Sequence, residues 1–218
     1  MRNAIYLHKQ ICLTIMSNTT EMAILEAAEK EFLNKGYAAA RTTSIAEAAG
    51  VTHSMLHYYY RTKEQLFERI VASKMEYLSK TLLTPFGDPT LPLMERLRTG
   101  ISNHFDFLVE NPDLPRFILN EVAAESFPLD WIKNVLTDTV SSLVANLQKS
   151  LDESALQGKT VKVNAQDLML DIVSMNVFLF VGRPLVKIIL PDSTKDQKAF
   201  LEERKAESIE TIMKRLKK

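Results

Sequence analysis

The sequence predicts an all-α protein, a small N-terminal three-helix unit followed by a larger helical domain. Three observations carry that prediction. Alanine, leucine, glutamate, lysine and methionine are abundant, and all favour helix. Apolar residues recur every three to four positions through most of the chain. Caps, glycines and prolines punctuate the pattern at helical lengths, and no stretch demands a strand.

The elements follow in order. Asn18 and Glu21 form a capping-box pattern that opens the first helix. Ile24, Leu25, Ala28 and Phe32 repeat along it, and Gly36 closes it. A short helix is expected over 42–49, with Ile45, Ala46 and Ala49 inward. Gly50 breaks it, Thr52 caps a second short helix over 52–59, and Leu56 anchors that one. Thr62 and Gln65 repeat the capping box before a longer helix towards Leu83. Pro85, Gly87 and Pro89 mark a break. Asp88 and Pro89 are expected to open a helix to about Glu110, and Asn111 with Pro112 another towards Ala124. Pro128 introduces a helix striped by Trp131, Val135, Thr139, Leu143 and Leu147, and a loop is expected over 151–163. Asn164 caps a helix that is apolar on nearly every side from Leu168 to Phe180, which implies burial on several faces and a second subunit. Gly182, Pro184 and Pro191 punctuate the next segment, and Thr194 with Gln197 opens the last helix.

Bulk properties narrow the function. The 218 residues suit one large domain or a module of about 50 residues joined to a larger one. The formal charge is +0, which argues against a general polyanion binder but leaves room for a small basic face. Cys12 is the single cysteine, so no intrachain disulfide and no cysteine-based metal site is expected. The first 16 residues lack a small-residue cleavage site and read as a disordered extension or an extra helical turn. No run approaches 18 uncharged apolar residues, so no membrane span is expected, and a cytoplasmic location fits.

The informative segment runs from Thr42 to Phe67. Two short helices joined by a glycine turn, with a helix before and another after, make a helix-turn-helix, the geometry that seats one helix in a major groove of double-stranded DNA. Ala46 and Ala49 let the pair approach closely, and Gly50 allows the turn. With Leu56 inward, His53, Ser54, Met55, His57 and Tyr58 spread over the exposed sides of the second helix. His53 and Ser54 suit base edges, and Met55 suits a thymine methyl. Tyr58 or Tyr59, Lys63, Arg41 and Thr43 suit phosphates, and Thr52 stands at the helix entrance. Tyr60 is expected in the core. His53 and His57 have the i, i+4 spacing of metal ligands, but no acidic or cysteine partner accompanies them, so no metal and no cofactor is expected. No HExxH, nucleophile elbow or phosphate-cradling glycine loop is present. Gly158-Lys159-Thr160 lacks the upstream glycine of a P-loop, and an enzyme is not expected.

AILEAAEKEFLNKGY, from Ala23 to Tyr37, and SIAEAAGVTHSMLHYYYRTKEQLF, from Ser44 to Phe67, resemble the TetR family of bacterial transcriptional regulators. Phe32, Gly36, Tyr37, Ile45, Ala46, Ala49, Gly50, Val51, Thr52, Leu56, Tyr59, Tyr60, Lys63, Glu64 and Leu66 carry the match. Three positions depart from it. Arg41 stands where a Ser or Thr cap usually opens the second helix, so Thr42 is expected to cap it instead or the start to shift. His57 replaces a tyrosine that often reaches phosphate, and Ser54 stands at a frequent glycine.

The resemblance implies a DNA-binding domain over 18–64 and a helical domain over 65–218 that binds an inducer and forms a homodimer. The last two long helices, by position Asn164 to Phe180 and Lys195 to Lys217, would pair with those of a second copy, setting recognition helices about 34 Å apart on a palindrome. A repressor released by a small, largely apolar ligand is expected; an activator, or a helical interaction module without DNA binding, remain alternatives. The ligand pocket is expected among His104, Phe105, Phe107, Leu108, Phe117, Asn120, Glu121, Trp131, Met175, Asn176 and Phe178, each otherwise an ordinary core side chain. His104 and Asn176 stand out as polar residues in apolar surroundings, which need partners if buried.

Overall fold

A computed structural model describes residues 2–78, 86, 90–124, 130–191 and 196–218, with side chains from residue 19 onward except those of 75, 78 and 130–139. Among the described residues every regular element is a helix: α1 (Arg2–Ala39), α2 (Thr42–Ala48), α3 (His53–Tyr59), α4 (Lys63–Leu78), α5 (Leu93–Glu110), α6 (Leu114–Ala124), α7 (Asp130–Leu156), α8 (Ala165–Val181), α9 (Arg183–Ile189) and α10 (Gln197–Leu216). The all-α expectation holds. The chain divides into two compact units, Met1–Lys74 and Met75–Lys218, so the division lies inside α4, ten residues past the expected 64.

In the first unit, α1 packs on α2 and α2 on α3. Ile24, Ala28, Phe32, Ile45, Leu56, Leu66 and Phe67 are all buried, as the periodicity predicts. Phe32, Tyr37 and Phe67 meet as an aromatic triad with centroids 5.0–6.0 Å apart. One start is corrected. The helix does not begin at Asn18 but runs in from Arg2, and Glu21, instead of reaching back as a cap, accepts the Tyr60 hydroxyl at 2.9 Å. Gly36 does break the helix, with φ 75°.

The second unit is a helical bundle in which α8 contacts α5, α6, α7, α9 and α10. Its larger core joins Leu97, Ile101, Leu143, Leu147, Leu168, Ile172, Ile212, Met213 and Leu216; a smaller one joins Phe105, Phe107, Leu108 and Phe180. Several boundaries differ from expectation. Helix α5 starts at Leu93 behind Pro92; Asp88 and Pro89 lie outside the described residues. Asn111 does not open α6. It ends α5, its Nδ2 donating to the Phe107 carbonyl at 2.9 Å. The expected loop over 151–163 shortens at its front, because α7 continues to Leu156 and buries Leu151 in the core; Gly158, φ 70°, turns the chain beyond it. Asn164 caps α8 as expected, accepting from the Gln166 and Asp167 N–H groups at 2.8 and 3.2 Å. Asp196 caps α10 by accepting from Ala199 N–H; Thr194 lies outside the described residues. Among the described residues no single helix is long and apolar enough to cross a membrane.

Candidate nucleic-acid interface

The expected DNA-contacting residues converge on α2, α3 and the turn between them. Gly50 takes φ 68°, the left-handed region that an L side chain enters at a cost of about 1–2 kcal/mol. Its N–H donates to the Glu47 carbonyl and that of Val51 to the Ala46 carbonyl, which fixes the exit towards α3. Thr52 then caps α3, its hydroxyl accepting from the Met55 N–H at 3.2 Å. Leu56 is fully buried and Tyr60 nearly so, and this holds the two-turn helix by one face. His53, Ser54, Met55, His57 and Tyr58 are exposed on the remaining sides, Tyr58 at 83%. Tyr59 is half-buried and meets the Tyr58 ring edge-on at 5.5 Å.

The histidines are oriented by neighbours that sequence reading did not assign to them. The Thr42 hydroxyl lies 3.0 Å from His53 Nε2, and the two imidazoles meet edge-to-face at 4.4 Å. His57 Nδ1 lies 3.1 Å from the Arg61 carbonyl. A carbonyl only accepts, so Nδ1 carries the proton in that contact and Nε2 is left without it. In the neutral ring Nε2 is an acceptor; donation to a phosphate oxygen requires the imidazolium. Among the described residues no cluster of three or more metal-ligating side chains includes this pair.

Arg41 and Thr43 are exposed at the start of α2. Arg41 holds the cap position without a side-chain cap bond; its N–H instead donates to Glu31 Oε1 at 3.3 Å. Thr42 is the first helical residue rather than the cap. The Glu31 carboxyl lies below the usual carboxylate range, chiefly through its bond from Lys35 and also through that backbone N–H. Lys63 has a structural engagement that local spacing does not reveal. Its ammonium donates to the carbonyls of Tyr37, Ala38 and Ala40 at 2.8, 3.2 and 3.2 Å and lies 4.6 Å from the Tyr37 ring centroid. The end of α1 and the start of α4 are thereby tied. Thr62 caps α4 by accepting from Gln65 N–H, while Gln65 reaches back to the N–H of Arg61, one residue earlier than the capping-box pattern implies.

Among the described residues, the expected ligand residues of the second unit are divided between the core and the surface. Phe105, Phe107 and Leu108 are buried in the smaller core. Phe117 and Met175 are half-buried, Glu121 is buried, and Asn120 and Phe178 are exposed. The side chain of Trp131 lies outside the described residues. Asn176 is fully buried but satisfied by protein. Its Oδ1 accepts from Ser208 at 2.6 Å, and its Nδ2 donates to the Ile101 carbonyl at 3.4 Å and to His104 Nδ1 at 3.2 Å. Its polarity therefore needs no ligand. A cavity of about 310 Å³ lies instead between the end of α5, the end of α8, α9 and the start of α10. Val109, Leu179, Phe180 and Phe200 line it, together with Arg183 and Lys187. Sequence reading missed both cations, because an isolated basic residue on a short helix carries no periodic signal.

Residues 24–70 match the family model described as bacterial regulatory proteins, tetR family. The uncharacterized HTH-type transcriptional regulator YdgC of Bacillus subtilis is 30% identical over 107 residues, 47% of this chain and 55% of that protein, so the match spans about half of the relative's length. The HTH-type transcriptional activator FasR of Mycolicibacterium smegmatis is 25% identical over 75% of this chain and 74% of its own. Among solved structures, a TetR-like transcriptional regulator from a Rhodococcus species covers 87% of this chain and 93% of its own, with a TM-score of 0.60 and 18% identity, which supports the fold. The family model coincides with the helices that carry the exposed face of α3, and over residues 24–70 the chain matches the TetR family of bacterial regulatory proteins.

Proposed function

We propose that the chain is a dimeric, sequence-specific DNA-binding transcription regulator, most simply a cytoplasmic repressor without a catalytic step. The observation that carries this reading is α3: two turns, capped by Thr52, pinned by Leu56, and presenting His53, Ser54, Met55, His57 and Tyr58 to solvent. Base-edge contacts fall to His53, Ser54 and Met55, and backbone contacts to Arg41, Thr43 and Tyr58. A largely apolar ligand with an anionic group suits the cavity flanked by Arg183 and Lys187. Such a ligand shifts DNA affinity only through unequal affinity for the two states of the dimer.

An activator is the second reading, favoured by the relative FasR, which is a transcriptional activator. Selection of the full chain against random duplexes tests the common core. A palindromic site with half-site centres about 34 Å apart is expected. Equal affinity for all duplexes at moderate salt would overturn it. Transcription from a template carrying the selected site then separates repression from activation.

A further inference from the structure

A cleft between the first turn of α5 and the end of α7 holds two polar side chains without adequate partners. Arg96 is 5% exposed. Its Nε has no hydrogen-bond partner, and its one bond is a long contact of 3.4 Å from Nη1 to the Phe86 carbonyl. Among the described residues it forms no ion pair. Thr160 is 2% exposed, and its hydroxyl likewise lacks a partner. Both residues line one cleft of about 550 Å³.

A buried guanidinium without a counter-charge costs several kcal/mol, and a buried hydroxyl left unpaired costs about 1–3 kcal/mol. Their placement on one cleft, contributed by α5 and by the turn after α7, is what an anion would relieve. The cleft's charge agrees. Its lining holds Arg96, Lys149 and Lys159 against Glu153, three positive charges less one negative, or +2. The N-terminal dipole of α5 has the same sign, offset in part by Glu95 in its first turn. Guanidinium, ammonium and hydroxyl donors around a net charge of +2 complement a phosphate, which carries about −1.5 to −2 at neutral pH.

We propose that this cleft is an oxyanion site for inorganic phosphate or a phosphate ester, bound by Arg96 and Thr160 and flanked by Lys149 and Lys159. It is separate from the cavity beside Arg183, with which it shares no lining residue. It also does not depend on DNA binding.

The test titrates the full-length protein with inorganic phosphate by calorimetry. Thermal unfolding in phosphate is compared with chloride at matched ionic strength. The expected result is one phosphate per chain and a melting temperature raised by phosphate but not by chloride. Arg96→Met keeps the apolar stem and should weaken phosphate about tenfold or more, the loss of a charge-assisted bond. Thr160→Val keeps the shape and should weaken it by a smaller factor. If Arg96→Met does not fold, Thr160→Val and a Lys149→Gln, Lys159→Gln double variant carry the test. A wild-type protein that responds equally to phosphate and chloride, which is what a water-filled cleft predicts, overturns the proposal. So does a phosphate response unchanged in the folded variants, which would place the anion elsewhere, including on the DNA-binding unit.

Discussion

Lys63 shows how one side chain can serve two ends. Its three carbonyl bonds lie within the protein, yet its place at the start of α4 is also suited to phosphate. The two roles separate in a Lys63→Met variant. Loss of charge-assisted bonds to α1 should lower stability by about 1–3 kcal/mol in urea unfolding. A purely phosphate-binding lysine would leave stability unchanged and weaken all DNA sequences alike. Thr52→Ala offers a second residue-scale check. It removes the bond to the Met55 N–H and should cost about 1 kcal/mol. The Thr52 cap was legible in sequence because its partner is three residues away. The Lys63 bonds were not, since their acceptors lie 23 to 26 residues distant and depend on how α1 ends. The same limit hid the Thr42 contact to His53, which crosses the turn between two helices.

At the scale of elements, the tie among His104, Asn176 and Ser208 joins α5, α8 and α10. Burial pushes the His104 imidazole down to about 4. The geometry agrees with a neutral ring, because Nδ1 must accept from Asn176 Nδ2. In the unfolded chain a histidine titrates near 6.5. Between those values the unfolded state binds a proton that the native state refuses. The stabilisation is therefore complete above about pH 6.5 and declines as pH falls towards 4, by at most about 3 kcal/mol. His104→Gln keeps an acceptor without titrating. Urea unfolding at pH 7 and pH 4.5 should show a smaller loss for the variant; equal losses would remove His104 from the account. Asn176 stood out in the sequence because it interrupts an apolar run. Ser208 did not, although it lies four residues before Ile212 on the buried side of α10, because a serine adds nothing to an apolar stripe. Helix ends were legible where a side chain caps its own turn, as at Asn164. They were lost where the helix runs on, as α7 does from Leu147 to Leu156, because Leu151 is a single core contact among polar neighbours.

At the scale of the whole molecule, the proposed dimer requires that a second copy cover one apolar face. Helix α8 exposes Leu170 at 66%, Val173 at 40% and Phe178 at 59%. Helix α9 and its end expose a rival patch, Leu185, Ile188, Ile189 and Leu190, at 49–76%. Both are apolar surfaces that water disfavours. The proposed two-fold arrangement selects α8, whose opposite face is already held by Leu168, Ile172, Asn176 and Phe180, so its exposed face can pair without disturbing the core. Leu170→Glu with Val173→Glu should accordingly yield a folded monomer, with unchanged helical signal and half the mass by sedimentation. Ile188→Glu with Ile189→Glu should leave the dimer intact. The monomer should also lose about a hundredfold or more in affinity for a palindrome, since the second half-site is then no longer presented at high effective concentration. A dimer that survives the α8 pair and is lost with the α9 pair would move the two-fold axis to the short helix, and with it the spacing at which two copies of α3 could meet DNA.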